Sequence, residues 1–170
     1  MFGFFLETIL KFFFENIFLS SDWINKDSST ELNLKILSKN NFKIVSKIKP
    51  NKTQFENMIF AFNICRFVKS NAIVIASNKT TIGIGSGQPS RLDSCQIAIN
   101  KMEKFKHYKK EIVAASDAFF PFVDGIEKLV QSGVSAVIQP AGSIRDKEII
   151  KFANETGTVL VFSKTRHFRH

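Results

Sequence analysis

A glycine-rich stretch followed by an arginine is the first feature of this sequence that could do chemistry. Gly83, Gly85 and Gly87 alternate along the chain, and Arg91 follows at the start of a predicted helix. A dinucleotide-binding fingerprint needs GxGxxG, and the third glycine here comes one residue early. Two interpretations stay open: glycines that close a tight hairpin, or a bare backbone and a guanidinium that together hold a phosphate.

An aromatic stretch at residues 116–124 is the second candidate. Three Phe residues surround Pro121 there, and Asp117 and Asp124 bracket them. Such a run is either buried core or a loop in which a ring stacks on a flat ligand while a carboxylate accepts from its N–H groups. The basic tail at residues 166–170 is the third candidate, with a frayed chain end as its alternative.

The bulk composition is that of a soluble globular chain long enough for one domain. Its 170 residues are 44% hydrophobic and 23% charged, and 24 basic side chains against 15 acidic ones give a formal net charge of +9. That charge would suit nucleic acid, anionic lipid or phosphorylated small molecules. The basic residues are mostly Lys, in a chain also rich in Ile, Phe and Asn, which is the mix that A+T-rich codons produce. We therefore expect no dedicated nucleic-acid surface.

Cysteine and charge patterns favour a cytoplasmic protein without a bound metal or a membrane span. Cys65 and Cys95 lie far apart and outside any CxxC motif, which indicates neither a disulfide framework nor a zinc site. Charged side chains interrupt the Phe-rich residues 1–20 before a spanning length is reached. A core-facing helix is the favoured interpretation of that segment, with an interfacial anchor or a surface that packs on further polypeptide as alternatives.

Hydrophobic periodicity predicts the elements of the first half of the chain. Residues 31–38 and 53–69 have helical spacing, and Thr53 with Glu56 predicts a capping box for the second helix. Residues 42–48 alternate as a partial strand. These elements precede every candidate described above.

The second half alternates strands and helices, the pattern of a parallel α/β sheet. An antiparallel hairpin of strands 72–76 and 81–84, with Asn78 in its turn, comes first. The elements after it are helix 90–105, strand 112–115, helix 125–132, strand 134–139, helix 143–156 and strand 158–162. Ser143 is predicted to cap the last helix and Gly157 to end it. Because ligands of such sheets bind at the carboxyl ends of strands, residues 141–143 would face them.

Five segments resemble, in order, the end of the bifunctional purine-biosynthesis transformylase/cyclohydrolase family. They read KSNAI from Lys69, GIGSGQPSR from Gly83, SDAFFPFVDGI from Ser116, QPAGSIRDKE from Gln139 and RHFRH from Arg166. The resemblance is strong over residues 69–170 and weaker over residues 1–68, and it covers the carboxyl-terminal half of the transformylase domain. It implies a single domain over residues 1–170 with a three-layer α/β/α, cytidine deaminase-like fold whose sheet is mostly parallel with a hairpin.

The resemblance also implies a ligand site. Nucleotide-binding positions of the family match Asn71, Arg91, Phe119 and Arg166, and folate-binding positions match Leu92, Asp124, Ser143 and Ile144. The implied ligands are an aminoimidazole carboxamide ribonucleotide (AICAR) and the formyl donor 10-formyl-tetrahydrofolate, with no metal. We expect Arg91, with the backbone of residues 83–87, to hold the anionic nucleotide through a forked contact.

The catalytic Lys–His pair of that family has no counterpart in this sequence. It belongs to a segment reading KHVSPAG, and Lys106–His107 is followed by residues of other types. Without a positioned base, formyl transfer would lose ~100-fold or more in rate. We therefore expect a binding half of the enzyme, inactive alone, that forms a homodimer or is completed by a partner carrying the first half. A non-catalytic nucleotide- or folate-binding module and a basic RNA-binding fragment are the alternatives.

Overall fold

Strands and helices alternate along the described chain, which in the computed structural model comprises residues 41–104 and 111–170. In chain order the elements are β1 (Phe42–Ile44), α1 (Lys52–Cys65), β2 (Ile73–Ser77), β3 (Thr80–Gly85), α2 (Arg91–Met102), β4 (Val113–Ser116), α3 (Val123–Gln131), β5 (Ala136–Pro140), α4 (Asp146–Thr156) and β6 (Val159–Ser163). The helices predicted within residues 1–20 and 31–38, and the Lys106–His107 pair, lie outside the described residues.

The six strands form one sheet in the order β1-β6-β5-β4-β2-β3. β4, β5 and β6 pair in parallel, whereas β2 is antiparallel to both β3 and β4, and β1 is antiparallel to β6. β3, β4, β5 and β6 therefore run in the same direction. The predicted mostly parallel α/β sheet with a hairpin is confirmed.

Helices cover both faces of this sheet. On one face α1 packs Met58 and Phe62 against the strands. On the other face, Ile99 of α2, Leu129 of α3 and Ala153 of α4 belong to a second buried cluster. Each large apolar side chain buried in this way contributes about 1.5–3 kcal/mol. The described residues thus form three layers, α/β/α.

The hairpin between β2 and β3 turns at the predicted place. Asn78 and Lys79 have φ angles of 49° and 53°, the left-handed pair that a type I′ turn requires. Asn tolerates this conformation better than most residues. The prediction of Asn78 in the turn is therefore confirmed.

The cap of α1 differs from the predicted one. Asn51 is the N-cap residue: its Oδ1 accepts from the backbone N–H of Gln54 at 2.8 Å, and Gln54 Oε1 accepts from the backbone N–H of Asn51 at 3.1 Å. The predicted capping box of Thr53 and Glu56 is wrong, because the extended backbone of Asn51 places its short carboxamide at the first N–H groups of the helix. The helix also ends at Cys65, earlier than predicted.

The start of α4 also differs from the prediction. Arg145 is its N-cap residue and makes no side-chain capping bond, whereas Ser143 Oγ accepts from the Arg145 N–H at 3.1 Å. Asp146 Oδ2 accepts from the N–H of Gly142 at 2.8 Å and closes the preceding loop. Ser143 thus stabilises the loop instead of capping the helix. The helix ends as predicted, at Gly157 with a φ of 70°.

Candidate ligand-binding site

A cleft of about 360 Å³ opens at the edge of the sheet where β3, β4, β5 and β6 end. Its walls are Asn71, residues 89–92 at the start of α2, residues 120–122 after β4, and Asp124 with Gly125 in the first turn of α3. A volume of this size suits a small ligand or part of a larger one. The cleft brings together Asn71 and Arg91, implied for the ribonucleotide, with Leu92 and Asp124, implied for the folate.

Three protein acceptors hold the Arg91 guanidinium. Nη2 donates to Asp117 Oδ1 at 2.8 Å and to Asn71 Oδ1 at 2.9 Å, and Nη1 donates to the carbonyl oxygen of Phe119 at 3.1 Å. The side chains of Arg91 and Asp117 are 10% and 0% exposed, and Arg91 Nε is enclosed without a partner. Of the five N–H donors of a guanidinium, one on Nη1 is therefore left for a ligand.

Two of the glycines expected to hold the nucleotide together with Arg91 also have a packing role in the fold. Gly83 and Gly85 face α2: a Cβ built on them would lie 2.1 Å from the carbonyl oxygen of Ala98 and 1.9 Å from that of Ser94. No side chain fits there, so glycine lets the helix lie directly against the edge strand. Helix–strand packing therefore fills the side of Gly83 and Gly85 that faces α2. The expectation that the backbone of residues 83–87 helps Arg91 to hold the nucleotide stays a prediction.

Asp117, for which the sequence leaves both a ligand contact and a buried position open, is a fully buried residue beside the cleft. Its Oδ2 accepts from Ser70 Oγ at 2.6 Å, and its backbone carbonyl oxygen accepts from the His167 N–H at 2.9 Å. Ser70 Oγ in turn accepts from the Arg169 N–H at 3.1 Å. Asp117 therefore joins Arg91 to the carboxyl-terminal tail, and its place directly after a buried strand is the sequence signal for such a role.

Asn71 ties the loop before α2 to the cleft. Its Nδ2 donates to the carbonyl oxygens of Gln88 at 2.9 Å and Pro89 at 3.1 Å, while Oδ1 accepts from Arg91. The carbonyl oxygen of Asn71 accepts from Ser94 Oγ at 2.8 Å. Both amide N–H groups of the side chain are used, which leaves one lone pair on Oδ1 for a ligand.

Phe119 and Arg166 form a second group beside the cleft. The guanidinium carbon of Arg166 lies 5.0 Å from the centroid of the Phe119 ring, a cation–π distance. Arg166 is exposed, and a Cβ built on Gly142 would lie 3.1 Å from its Nη2. The predicted tail residue therefore lies between the loop after β4 and the loop after β5.

Asp124 and Leu92 stand on two helices that border the cleft. Asp124 Oδ1 accepts from the N–H of Gly125 at 2.7 Å. An ionised carboxylate can accept about four hydrogen bonds, so Asp124 retains capacity for the N–H groups of a ligand. Leu92, half-buried in the first turn of α2, adds an apolar contact.

Ser143 and Ile144 lie in the loop between β5 and α4 and do not line the cleft. Ser143 Oγ is bonded to Arg145, and the side chain of Ile144 is fully exposed. The loop approaches the cleft through Arg145, whose guanidinium carbon lies 4.9 Å from the ring centroid of Phe122, a cleft residue. Phe122 belongs to the aromatic stretch that the sequence singles out as a candidate, whereas Arg145 is not among the predicted site residues.

His167 packs under the tail as a neutral group. Burial, and then the positive charge of Arg66, lower the pKa of His167 to about 4, against the opposing effect of Asp117. The imidazole lies 4.4 Å from the ring of Phe62, and its Nε2 is enclosed without a partner. At neutral pH this ring therefore behaves as an apolar side chain and adds no charge to the site.

The two cysteines are poor candidates for nucleophilic chemistry. Burial raises the pKa of Cys65 well above its ordinary value and that of Cys95 to about 12. A nucleophilic cysteine needs the thiolate at working pH, so both thiols are packing groups. Within residues 41–104 and 111–170, no three His, Cys, Asp or Glu side chains are grouped closely enough to hold a metal ion.

Length and hydropathy decide whether any of the described helices could span a membrane. Over residues 41–104 and 111–170, none combines the length and the apolar character that crossing a bilayer requires.

Several known proteins are similar to this chain. The family model for the AICARFT/IMPCHase bienzyme matches residues 25–101. The bifunctional purine biosynthesis protein PurH of Leuconostoc mesenteroides subsp. mesenteroides is 50% identical over 133 residues, which cover 78% of this chain and 26% of the relative. The protein of that name from Aquifex aeolicus is 42% identical over 167 residues, 95% of this chain and 32% of the relative. This chain belongs to the AICARFT/IMPCHase bienzyme family.

Membership of this family confirms the resemblance drawn from the five sequence segments. The chain spans 26% of the length of one curated relative and 32% of another. Asn71, Arg91 and Leu92 fall inside the residues matched by the AICARFT/IMPCHase family model. The match to the Aquifex aeolicus protein extends over 95% of the chain and so reaches well beyond residue 101.

Proposed function

We propose that this chain supplies the carboxyl-terminal, ligand-binding half of a transformylase in purine (IMP) biosynthesis. The parent reaction transfers a formyl group from 10-formyl-tetrahydrofolate to AICAR. The observation that carries the proposal is the cleft in which Asn71 and Arg91 meet Leu92 and Asp124. Membership of the AICARFT/IMPCHase family supports this pair of ligands, and a cytidine deaminase-like topology of the whole domain is part of the same proposal.

The ribonucleotide would bind through Asn71, Arg91, Phe119 and Arg166. The remaining lone pair of Asn71 and the remaining N–H of Arg91 form an acceptor–donor pair that matches a carboxamide group. The charge of Arg91 is already matched by Asp117. The exposed Arg166 would therefore supply the cation for the phosphate, while the ring of Phe119 stacks on the imidazole.

The folate would bind through Asp124, Leu92, Ser143 and Ile144. Asp124 would accept from the N–H donors of the pterin ring, as carboxylates do in charge-assisted bonds. Leu92 would contact the apolar face of the same ring. Ile144 is an exposed apolar side chain of the next loop, and it gains burial where a ligand or a second polypeptide covers it.

Catalysis would need groups from outside this chain. The Lys–His pair of the family is absent from the sequence, and transfer to the weakly nucleophilic amine of AICAR requires a base that takes its proton. A partner carrying the first half of the domain would supply that pair and complete the site, in the cytoplasm, whereas a second copy of this chain would lack the same pair. The alternative is a non-catalytic nucleotide- or folate-binding subunit, which the same cleft supports.

Calorimetric titration of the full chain with AICAR and with tetrahydrofolate tests the proposal. We expect Arg166→Ala to weaken AICAR binding about tenfold or more, because a charge-assisted hydrogen bond contributes about 1.5–3 kcal/mol. Asp124→Ala should weaken tetrahydrofolate binding by a similar factor. Each variant should leave the other ligand within about twofold.

Matched controls come from neighbouring exposed charges. Arg169→Ala and Glu127→Ala should leave both affinities within about twofold. Parallel losses of both ligands in either site variant would contradict the assignment of separate groups. Formyl transfer that requires an added first half of the domain would identify an enzyme half, whereas binding without transfer in that mixture would favour the non-catalytic subunit.

A further inference from the structure

The loop between β5 and α4 places a cation beside the cleft that the proposed function leaves unused. The guanidinium carbon of Arg145 lies 4.9 Å from the ring centroid of Phe122. Phe122 is 51% exposed although it lines the cleft. The cation in the cleft wall, Arg91, is bound to the buried Asp117. Arg145 is thus a positive charge next to the cleft that a ligand can contact.

The protein partner of Arg145 is easily exchanged. Arg145 Nη1 donates to Glu148 Oε2 at 3.1 Å, and the two side chains are 47% and 55% exposed. Exposed ion pairs of this kind contribute about 0–1 kcal/mol. A ligand carboxylate that replaced Glu148 would therefore displace a weak contact, while the aromatic ring keeps the guanidinium beside the cleft.

We propose that Phe122 and Arg145 form a subsite for an aromatic amide that carries a carboxylate. Phe122 contacts the ring, and Arg145 binds the carboxylate, whose two oxygens match the planar fork of a guanidinium. This inference rests on the proposed function, because tetrahydrofolates end in a p-aminobenzoyl group joined by one amide bond to glutamate. The subsite therefore selects folates that bear glutamate over pteroates that lack it.

Titration of the full chain with tetrahydrofolate and with tetrahydropteroate, which lacks the glutamate, tests this selection. The wild type should bind tetrahydrofolate about tenfold more tightly, since one charge-assisted contact separates the two ligands. Arg145→Ala should abolish that preference by weakening tetrahydrofolate alone, and Arg145→Lys should restore it in part. Lys147→Ala, which removes an exposed cation of the same helix, should keep the wild-type preference.

Other results of these titrations would overturn the subsite. An equal loss of both ligands in Arg145→Ala would overturn the subsite and give Arg145 a role in holding the loop. An unchanged preference in that variant would overturn it too. AICAR titration of the variant checks that the cleft is folded. Binding of AICAR but of neither pterin to the wild type would refute the folate part of the proposed function, and the subsite with it.

Discussion

Two arginines stand at the start of helices in this fold, and their surroundings give them different roles. Arg91 opens α2 and Arg145 precedes α4. Each has a carboxylate partner, Asp117 at 2.8 Å and Glu148 at 3.1 Å. The distances hardly differ, but the first pair is 10% and 0% exposed and the second is 47% and 55% exposed. Burial, more than distance, decides whether an arginine belongs to the framework or is available to a ligand.

Removing the buried carboxylate should have the largest effect on stability. Asp117→Ala leaves the Arg91 guanidinium buried without its counter-charge, which typically costs about 3–5 kcal/mol. Glu148→Ala, the matched change in the exposed pair, should alter the free energy of unfolding by less than about 0.5 kcal/mol. Urea unfolding of both variants measures the difference. Similar small losses of unfolding free energy in the two variants would contradict the difference between the buried and the exposed ion pair.

Replacing a glycine that precedes Arg91 should have the second-largest effect on stability, because these glycines let α2 pack against β3. A Cβ at position 85 would lie 1.9 Å from a backbone oxygen of α2, so Gly85→Ala should cost at the upper end of the about 1–3 kcal/mol typical of overpacking. Ser86→Ala, at the neighbouring half-buried position, should cost far less. Equilibrium unfolding and AICAR titration separate two roles: a glycine that bound phosphate would lose AICAR affinity at unchanged stability.

A similar contrast between buried and exposed groups applies to two histidines of the tail. The pKa of His167 is lowered from 6.5 to about 4 by burial, so the unfolded chain takes up a proton before the folded one does. The stabilisation is fully present above about pH 6.5 and is lost as pH falls towards 4. We expect His167→Gln to flatten the fall in unfolding free energy between pH 7 and pH 5. The same change at the exposed His170 should keep the wild-type slope, and an equally flat profile there would contradict the assignment.

The smallest effect is expected when the exposed pair is opened without removing the arginine. Glu148→Gln frees Arg145 from its protein partner at a cost below about 0.5 kcal/mol. Tetrahydrofolate affinity should stay level or rise up to about twofold, because the ligand no longer displaces that partner. Calorimetry with the wild type and Glu148→Gln compares the two. A clear loss of affinity would mean that Glu148 orients Arg145 for the ligand.

The sequence predicts features of this fold that depend on local preferences. The turn at Asn78 and the helix end at Gly157 follow from residues that tolerate left-handed backbone. The predicted cap of α1 is wrong because Asn51 competes with Thr53 for the N-cap position, whereas the predicted cap of α4, Ser143, lies two residues before the N-cap position. Hydrophobic periodicity does not show which of several nearby polar residues caps a helix.

Part of the cleft wall follows from residues that the sequence singles out, whereas few of their contacts do. The resemblance supplied Asn71, Arg91, Leu92 and Asp124, which the fold brings into one cleft. The hydrogen bond from Arg91 to Asp117 joins positions separated by 26 residues. No local sequence pattern predicts such a long-range pair. The same holds for the contact between Arg145 and Phe122, which depends on how two loops meet.

The central claim is that one face of this chain binds a ribonucleotide and a folate through separate groups. Calorimetric titration with AICAR, in the absence and in the presence of saturating tetrahydrofolate, tests it most directly. The account predicts that AICAR binds in both cases with an affinity that stays within about threefold. An AICAR affinity that falls in proportion to the tetrahydrofolate concentration would show that the two ligands compete for the same groups. That result, or the failure of AICAR to bind at all, would contradict the account.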